Sequence, residues 1–288
     1  MSKSRAQRPS SITLVTCEDQ PALTPSDQLL AVELEARGRR VRVAGWRDQS
    51  VDWAESALTV LRSTWDACKR HHEFLSWLER AEALTTLVTP PVLLRWNFDK
   101  RYLLDLEARG VPIIPSQYLS RGVSLSGLSP RWDEVVVKPV IGGSSLGVRH
   151  FQLSQGRESM EQHLTYLLDR TGVLIQRYEP TVCTDFERSL VFIAGAFSHA
   201  VRRIPFNTGN TPDTDEFDHS PSSEEIWFAR NTLRIASAHS LPFARVDLLP
   251  SADGLLLMEL ELIDPALFLT RRPQAAAELA AALAPNPR

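Results

Sequence analysis

The sequence is poor in cysteine. Its 288 residues contain three, at widely separated positions and in no spacing typical of metal ligands: Cys17, Cys68 and Cys183. An odd number of isolated cysteines argues against a disulfide framework. We therefore expect a reduced, cytoplasmic setting, structural thiols and no zinc site.

Long apolar runs and an excess of charge of either sign are also missing. No run approaches the roughly 20 apolar residues that cross a bilayer. The first ten residues, MSKSRAQRPS, are basic and lack the apolar stretch of a signal peptide, so we expect a disordered tail over 1–10. The formal net charge is −3 with 23% charged residues, which gives no reason to expect a nucleic acid or a membrane as partner.

Strand and helix patterns alternate in the first third of the chain. SITLVTC (11–17) and RVRVAGW (40–46) are typical of strands, a helix is predicted from Ser26 to Arg37 between them, and a third apolar strand covers 57–66. This order predicts a small parallel α/β domain over 11–95.

Strands and hairpins dominate the remainder, which predicts an α+β architecture in two further segments, 96–175 and 176–288. Strands are predicted at 135–139, 172–180 and 188–205, and a hairpin turns at Asp253-Gly254. Helices are predicted at 70–84, from about Asp99 to Gly110, at 226–239 and at 274–284. The polar, acidic segment 207–225 is predicted to be a mobile loop.

The stretch VVVKPVIGGSSLGV places Lys138 at the end of a valine strand, before a loop of glycines and serines. Glycine tolerates the dihedral angles that turn several main-chain N–H groups toward one point, and such nests bind anions. The order differs from the Walker pattern, in which the lysine follows the glycines. A hairpin with a solvated lysine fits these residues equally well.

The stretch RVDLLPSADGLLLMELEL predicts an acidic face on two paired strands. Arg245 and Asp247 are two apart and share a face, as do Glu259 and Glu261 on the next strand. Facing carboxylates repel unless a cation lies between them, and Mg²⁺ is the ion that prefers carboxylates together with phosphate oxygens. The alternative is that the acids point to solvent while the leucines and Met258 point inward.

These pieces, taken in order, resemble the ATP-grasp superfamily of carboxylate–amine ligases. FARVDLLPSADGLLLMELE looks like the corresponding stretch of D-alanine–D-alanine ligases. Four other stretches look closer to the glutathione synthetase-like branch, which contains the cycloserine-forming O-ureidoserine cyclo-ligases. They are RSTWD, WNFDKRYLLDLEARGVPIIPS, FSHAVRRIP and ELELIDPALFL. The resemblance covers about residues 12 to 270 and implies an ATP-grasp fold, with the segments 96–175 and 176–288 as the two lobes that grip the nucleotide.

The resemblance also implies roles for the matching positions. Arg245 would face the transferred phosphoryl group, and Arg203 stands where related proteins often have lysine. Two magnesium ions would be bound by Asp247, Glu259 and Glu261. The residues that would hold ATP are Lys100 and Lys138 at the phosphates, Gly142, Gly143, Ser144, Ser145 and Gly147 in the closing loop, Gln176, Arg177, Tyr178 and Glu179 at adenine, and Glu187 near the ribose.

The implied reaction is ATP-dependent activation of a carboxylate as an acyl phosphate, followed by amide formation with an amine or by ring closure. Phosphoryl transfer needs charge neutralisation and positioning, which agrees with a sequence that shows no evident Ser-His-Asp or Cys-His arrangement. An amino-acid-like substrate is expected at the tip of the third strand, where candidate contacts are Arg62, Ser63, Trp65 and Asp66. A core role for Trp65 with solvated charges beside it fits as well.

Three departures from the family pattern leave other functions open, and one is the spacing from Glu261 to Pro265, which is one residue longer than in D-alanine–D-alanine ligases. Phe186 stands where related proteins commonly have glycine, and the segment 204–229 contains no Lys or Arg, although related proteins often place a basic phosphate contact there. Arg202, Arg203 or Arg230 could substitute. A nucleotide-binding regulatory protein without ligase activity is the alternative function, and a kinase that stops at a phosphorylated product is a third. The expected oligomeric state is monomer or homodimer.

Overall fold

The computed structural model describes residues 11–143, 145–204 and 216–284. The predicted tail at 1–10, Ser144 and part of the predicted loop at 207–225 lie outside these ranges. Within them the strands are β1 (Ser11–Thr16), β2 (Arg40–Gly45), β3 (Ser56–Ser63), β4 (Ser116–Leu119), β5 (Glu134–Pro139), β6 (Arg149–Gln152), β7 (Val173–Arg177), β8 (Glu187–Ile193), β9 (Ala196–Arg203), β10 (Glu216–His219), β11 (Phe243–Ser251) and β12 (Gly254–Glu261).

The α-helices in the same ranges lie between or after these strands. They are α1 (Pro25–Ala36), α2 (His71–Leu84), α3 (Pro91–Phe98), α4 (Tyr102–Ala108), α5 (Leu153–Leu168), α6 (Thr181–Thr184), α7 (Ser223–Ile235) and α8 (Gln274–Leu283). None of the helices in the described part of the chain is long and apolar enough to span a bilayer.

The strands form three sheets. The first is parallel, in the order β2-β1-β3, and the other two are antiparallel, in the orders β10-β9-β8-β11-β12 and β4-β7-β5-β6. The predicted parallel α/β domain followed by an α+β arrangement is confirmed. The predicted segment limits at 95 and 175 lie within α3 and β7, and this division of the chain stays a prediction.

The last helix returns to the first domain. Ala275, Ala276 and Ala280 of α8 are buried in one core cluster with Leu30 and Leu34 of α1. Alanine side chains allow the two helices to approach closely, and α1 and α8 are in extensive contact. The N-terminal domain is therefore packed against the end of the chain, which fixes it beside the larger sheets.

Two elements differ from the sequence prediction around residue 220. The predicted loop at 207–225 contains β10, and α7 begins at Ser223. Ser222 and Glu225 form a reciprocal capping box, in which the Ser222 hydroxyl accepts from the Glu225 N–H and the Glu225 carboxylate accepts from the Ser222 N–H. A capping box starts a helix even where the surrounding sequence is polar.

Candidate active site

The predicted acidic face lies on β11 and β12, where Arg245 pairs with Glu261 and Asp247 with Glu259 across the strands. Oxygen atoms of Asp247, Glu259 and Glu261 lie within 4.8 Å of one another. Asp247 is only 1% exposed, because β11 is covered on both faces. Asp247 therefore does not point to bulk solvent, whereas Glu259 and Glu261, whose side chains are 28% and 30% exposed, line a cavity.

Three basic side chains neutralise this cluster. Lys100 is ion-paired with Glu259, and Arg203 is ion-paired with Glu187. Arg245 donates to Asp247 at 2.9 Å and is also ion-paired with Glu261. The segment 204–229 has no basic residue, but Arg203, directly before it, lies 3.6 Å from Asp247. Arg202 instead donates to His219.

The carboxylates of the cluster titrate differently. Burial acts to raise the pKa of Asp247 and of Glu259, but the adjacent guanidinium groups and lysines outweigh it, and both pKa values are lowered. Burial raises the pKa of Glu261 to about 7, with Arg245 opposing the shift and Asp247 adding to it. A divalent cation between these oxygens would favour the ionised form of Glu261, so the donor set fits Mg²⁺.

Lys138 lies in the buried part of β5 and is only 6% exposed, so the interpretation as a solvated lysine is wrong. No acidic side chain in the described part of the chain lies within ion-pair distance of its ammonium group. Burial lowers its pKa to about 8, which the charge of Glu259 partly offsets. The site therefore holds a buried ammonium group whose charge is poorly compensated by the protein.

The loop after β5 approaches the acidic cluster. Gly142 and Gly143 line the same cavity as Lys100, Glu259 and Glu261. Gly147 has a φ of +77°, which favours glycine, and its carbonyl oxygen is 2.8 Å from His163 Nε2 on α5. Ser145 also has a positive φ of 57°, and Ser144 lies outside the described residues.

The predicted adenine contacts follow β7. The Gln176 amide donates to Ser116, and Arg177 is ion-paired with Glu179. The Tyr178 ring stacks on His150 with 4.1 Å between ring centroids. These residues do not line the cavity at the acidic cluster, and their roles stay predictions.

Phe186, which departs from the family pattern, has a φ of +62°. This is the left-handed region that glycine adopts most easily, so the turn keeps a glycine-like conformation with a phenylalanine in place. The next residue, Glu187, is thereby directed into the cluster, where it is buried beside Arg203.

The cavity above the cluster has a volume of about 360 Å³ and extends to the N-terminal domain. Its walls come from the tip of β3, α3, the glycine loop and the end of β12. The lining includes Thr64, Trp65, Cys68, Phe98, Lys100, Arg203, Arg245, Glu259, Glu261, Ile263 and Asp264. The chain thus brings one or more of the predicted phosphate, metal and substrate residues to one opening, namely Lys100, Gly142 and Gly143, Glu259 and Glu261, and Trp65.

Three of the four predicted substrate residues lie outside this lining. Arg62 is 1% exposed and donates to Asp27 at 2.8 Å, and the Ser63 hydroxyl donates to the same carboxylate at 2.7 Å. Asp66 accepts a hydrogen bond from Trp46. These side chains are directed into the protein because buried charged groups need partners there. Trp65 alone of the four lines the cavity.

Sequence reasoning missed the groups that anchor β12. The Asn97 side chain donates to the Leu260 carbonyl and accepts from the Leu262 N–H, and the Tyr102 hydroxyl accepts from the Leu260 N–H. The only sequence signal was their place in WNFDKRYL, close to Lys100. These contacts fix the strand on which Glu259 and Glu261 stand.

Comparison with known proteins assigns the family. The model of the N-terminal domain of the D-cycloserine synthetase DcsG matches residues 12–89. The cycloserine biosynthesis protein DcsG of Streptomyces lavendulae is 35% identical over 266 residues, which cover 86% of this chain and 89% of that protein. The chain belongs to the D-cycloserine synthetase family of ATP-grasp ligases. It is an ATP-dependent carboxylate–amine ligase, and the regulatory alternative without ligase activity is not supported.

Solved structures confirm the fold. The crystal structure of the D-cycloserine synthetase DcsG is 32% identical, with a TM-score of 0.87 over 94% of this chain and 98% of that one. The D-alanine–D-alanine ligase of Bacillus anthracis, solved with ATP, is 14% identical with a TM-score of 0.67 over 95% of each chain. The second likeness shows the ATP-grasp fold alone.

Proposed function

We propose that this enzyme activates the carboxylate of an amino-acid derivative as an acyl phosphate and closes a ring by attack of a nitrogen of the same molecule. The observation that carries the proposal is the single cavity that joins Lys100, the glycine loop, Arg245 and the acidic cluster to Trp65 of the N-terminal domain. The related proteins named for cycloserine support a cyclic amino-acid product.

The roles of the ATP-binding residues are part of this proposal. Lys100 and Lys138 hold the α- and β-phosphates, the loop from Gly142 to Gly147 closes over them, and residues 176–179 receive adenine, with Glu187 near the ribose. Nucleotide phosphates supply the negative charge that buried Lys138 lacks in the protein itself. Charge-assisted contacts of this kind are strong when the site excludes water.

Asp247, Glu259 and Glu261 are the residues that hold Mg²⁺, and we propose two ions. Bound Mg²⁺ neutralises phosphate charge and positions the γ-phosphate. In the protein alone Lys100 and Arg245 pair with these carboxylates, and with Mg²⁺ bound to the acids both side chains would be released to contact phosphate oxygens.

The proposed reaction has two displacements. The substrate carboxylate oxygen attacks the γ-phosphorus, the new O–P bond forms and the bond to the ADP oxygen breaks. The substrate nitrogen then attacks the acyl carbon, the C–N bond forms, phosphate leaves and the nitrogen loses its proton. Arg245 and Arg203 face the transferred phosphoryl group and stabilise its charge. The glycine loop keeps water from the acyl phosphate.

The test is turnover of ATP, Mg²⁺ and O-ureidoserine in both enantiomeric forms. We expect ADP, phosphate and cyclic product in equal amounts, and added hydroxylamine to trap the acyl phosphate as a hydroxamate. ADP release that does not depend on the carboxylate contradicts the proposal. Product that forms only with an added amine shows intermolecular ligation, and a stable phosphorylated product shows a kinase.

A further inference from the structure

Asp264 lies in the turn after β12 and lines the cavity on the side of the N-terminal domain. Its Oδ2 accepts two hydrogen bonds from Thr64, one from the main-chain N–H and one from the hydroxyl, each 2.7 Å long. No group in the described part of the chain donates to Oδ1. The carboxylate is therefore fixed by one oxygen, and the other oxygen is left for a ligand.

Asp264 differs from the other carboxylates that line the cavity. Each of those has a basic partner: Glu216 with Arg271, Glu259 with Lys100, and Glu261 with Arg245. Within residues 11–143, 145–204 and 216–284, no basic side chain forms an ion pair with Asp264. The neighbouring stretch 205–215 contains no Lys or Arg in its sequence.

The nearest guanidinium group is already used. Arg62 donates to Asp27 at 2.8 Å and to the Pro265 carbonyl at 2.8 Å. Burial raises the pKa of Asp264, and the hydrogen bonds from Thr64 oppose that shift. An ionised carboxylate in such a place is stabilised by a cation that arrives with the ligand.

We propose that Asp264 binds the α-ammonium group of the substrate and that Thr64 is its positioning residue. This inference rests on the proposed function, which places the reacting carboxylate near Arg245. Asp264 follows Glu261 by three residues, a span of at most about 10 Å. One small zwitterion can therefore contact both ends of the cavity, with its side chain against the apolar wall of Trp65 and Phe98.

The experiment compares O-ureidoserine with its desamino analogue, 3-(ureidooxy)propanoate, in the wild-type enzyme and in Asp264→Asn. Asparagine keeps an oxygen for Thr64 and removes the charge. We expect the wild-type enzyme to have about 100-fold lower kcat/KM for the analogue, as for loss of a buried charge pair. In Asp264→Asn we expect kcat/KM for O-ureidoserine to fall by about the same factor, through a higher KM. The variant should use the two compounds equally well, and its KM for ATP should not change.

Two further variants separate recognition from folding. Asp169→Asn, at an exposed position after α5, is the matched control and should leave both compounds unaffected. Thr64→Val keeps the main-chain donor and loses the hydroxyl, and it should raise the KM for O-ureidoserine about tenfold at unchanged kcat. If Asp264→Asn does not fold, Thr64→Val carries the test, and a KM for O-ureidoserine equal to that of the wild type overturns the inference.

Two results would overturn this inference. The first is equal use of both compounds by the wild-type enzyme, and the second is an Asp264→Asn variant that keeps the preference, which would make Asp264 only a tether for Thr64. Failure of the proposed function looks different, because the wild-type enzyme would then release no ADP with either compound, and this inference would fall with it.

Discussion

Lys138 shows how a single residue can lower stability in order to bind a ligand. Its pKa falls from 10.5 to about 8 because the ammonium group is buried. At pH 7 the lysine is protonated in both the folded and the unfolded chain, so the shift corresponds to a cost of about 3 kcal/mol in the folded state. A nucleotide phosphate would remove this cost.

Lys138→Met should therefore stabilise the nucleotide-free protein while weakening ATP binding at least about tenfold. We expect the free energy of unfolding to rise by about 3 kcal/mol at pH 7. The gain should shrink between pH 8 and 10.5, where the folded-state lysine of the wild type is already neutral. Denaturant unfolding at pH 7 and 9 measures this, with exposed Lys69→Met as the control. Equal stability of wild type and Lys138→Met would contradict the assigned cost.

Glu259 carries two functions at one position, since it faces the proposed metal and pairs with Lys100. Glu259→Gln should lower turnover by about 1,000-fold or more, as for loss of preorganised charge in an active site. ADP release as a function of Mg²⁺ concentration measures the effect, and the melting temperature reports the fold. Glu278→Gln, which alters an exposed pair with Arg272, is the control. Retained activity in Glu259→Gln would remove Glu259 from the metal site.

At the scale of elements, the loop between β5 and β6 depends on backbone conformation. Gly147 has a φ of +77° and Gly122 a φ of +74°, but a Cβ at Gly147 would lie 3.4 Å from Leu167 and Pro139, while at Gly122 it would meet nothing within 4 Å. Alanine at either position should cost about 1–2 kcal/mol. Only Gly147→Ala should also raise the KM for ATP, by about tenfold or more. A similar KM in both variants would show that the loop does not contact phosphate.

Several elements could be predicted from the sequence because their patterns are local. The helix over 70–84 and the hairpin at Asp253-Gly254 have strong periodicity or turn residues, and the structure has α2 and the β11–β12 turn there. α5 was not predicted, since its sequence LSQGRESMEQHLTYLL is polar at its start and contains Gly156. Its burial against β5 and β7 supplies the stability that local propensity lacks.

At the scale of the whole molecule, a buried network joins the N-terminal domain to the end of β12. Asp27 on α1 accepts from Arg62 and Ser63 on β3, and Arg62 also donates to the Pro265 carbonyl. Asp27→Asn leaves the guanidinium without its carboxylate and should lower the free energy of unfolding by about 3–5 kcal/mol. Glu55→Gln, which breaks an exposed pair with Arg42, should change it by less than about 0.5 kcal/mol. Equal effects in denaturant unfolding would contradict a buried network.

The sequence could not reveal contacts between distant positions of this kind. Arg62 and Asp66 have the right chemistry for an amino-acid substrate, and only the folded chain shows that their partners are Asp27 and Trp46. Asp264 gave no separate signal, because its contact with Thr64 joins residues 200 positions apart. By contrast, the sequence did predict that Asp247, Glu259 and Glu261 lie together. Alternate residues of a strand share a face, and these three stand on the two strands of one hairpin.

The anchoring of β12 also bears on aggregation. β12 is the last strand of its sheet, and an unpaired edge rich in leucine is a template for pairing with another molecule. Here Asn97 and Tyr102 satisfy the main chain at Leu260 and Leu262, and the Leu257 N–H donates to the Pro112 carbonyl. The strand that carries two proposed metal ligands is thus open to small molecules and closed to intermolecular sheet growth.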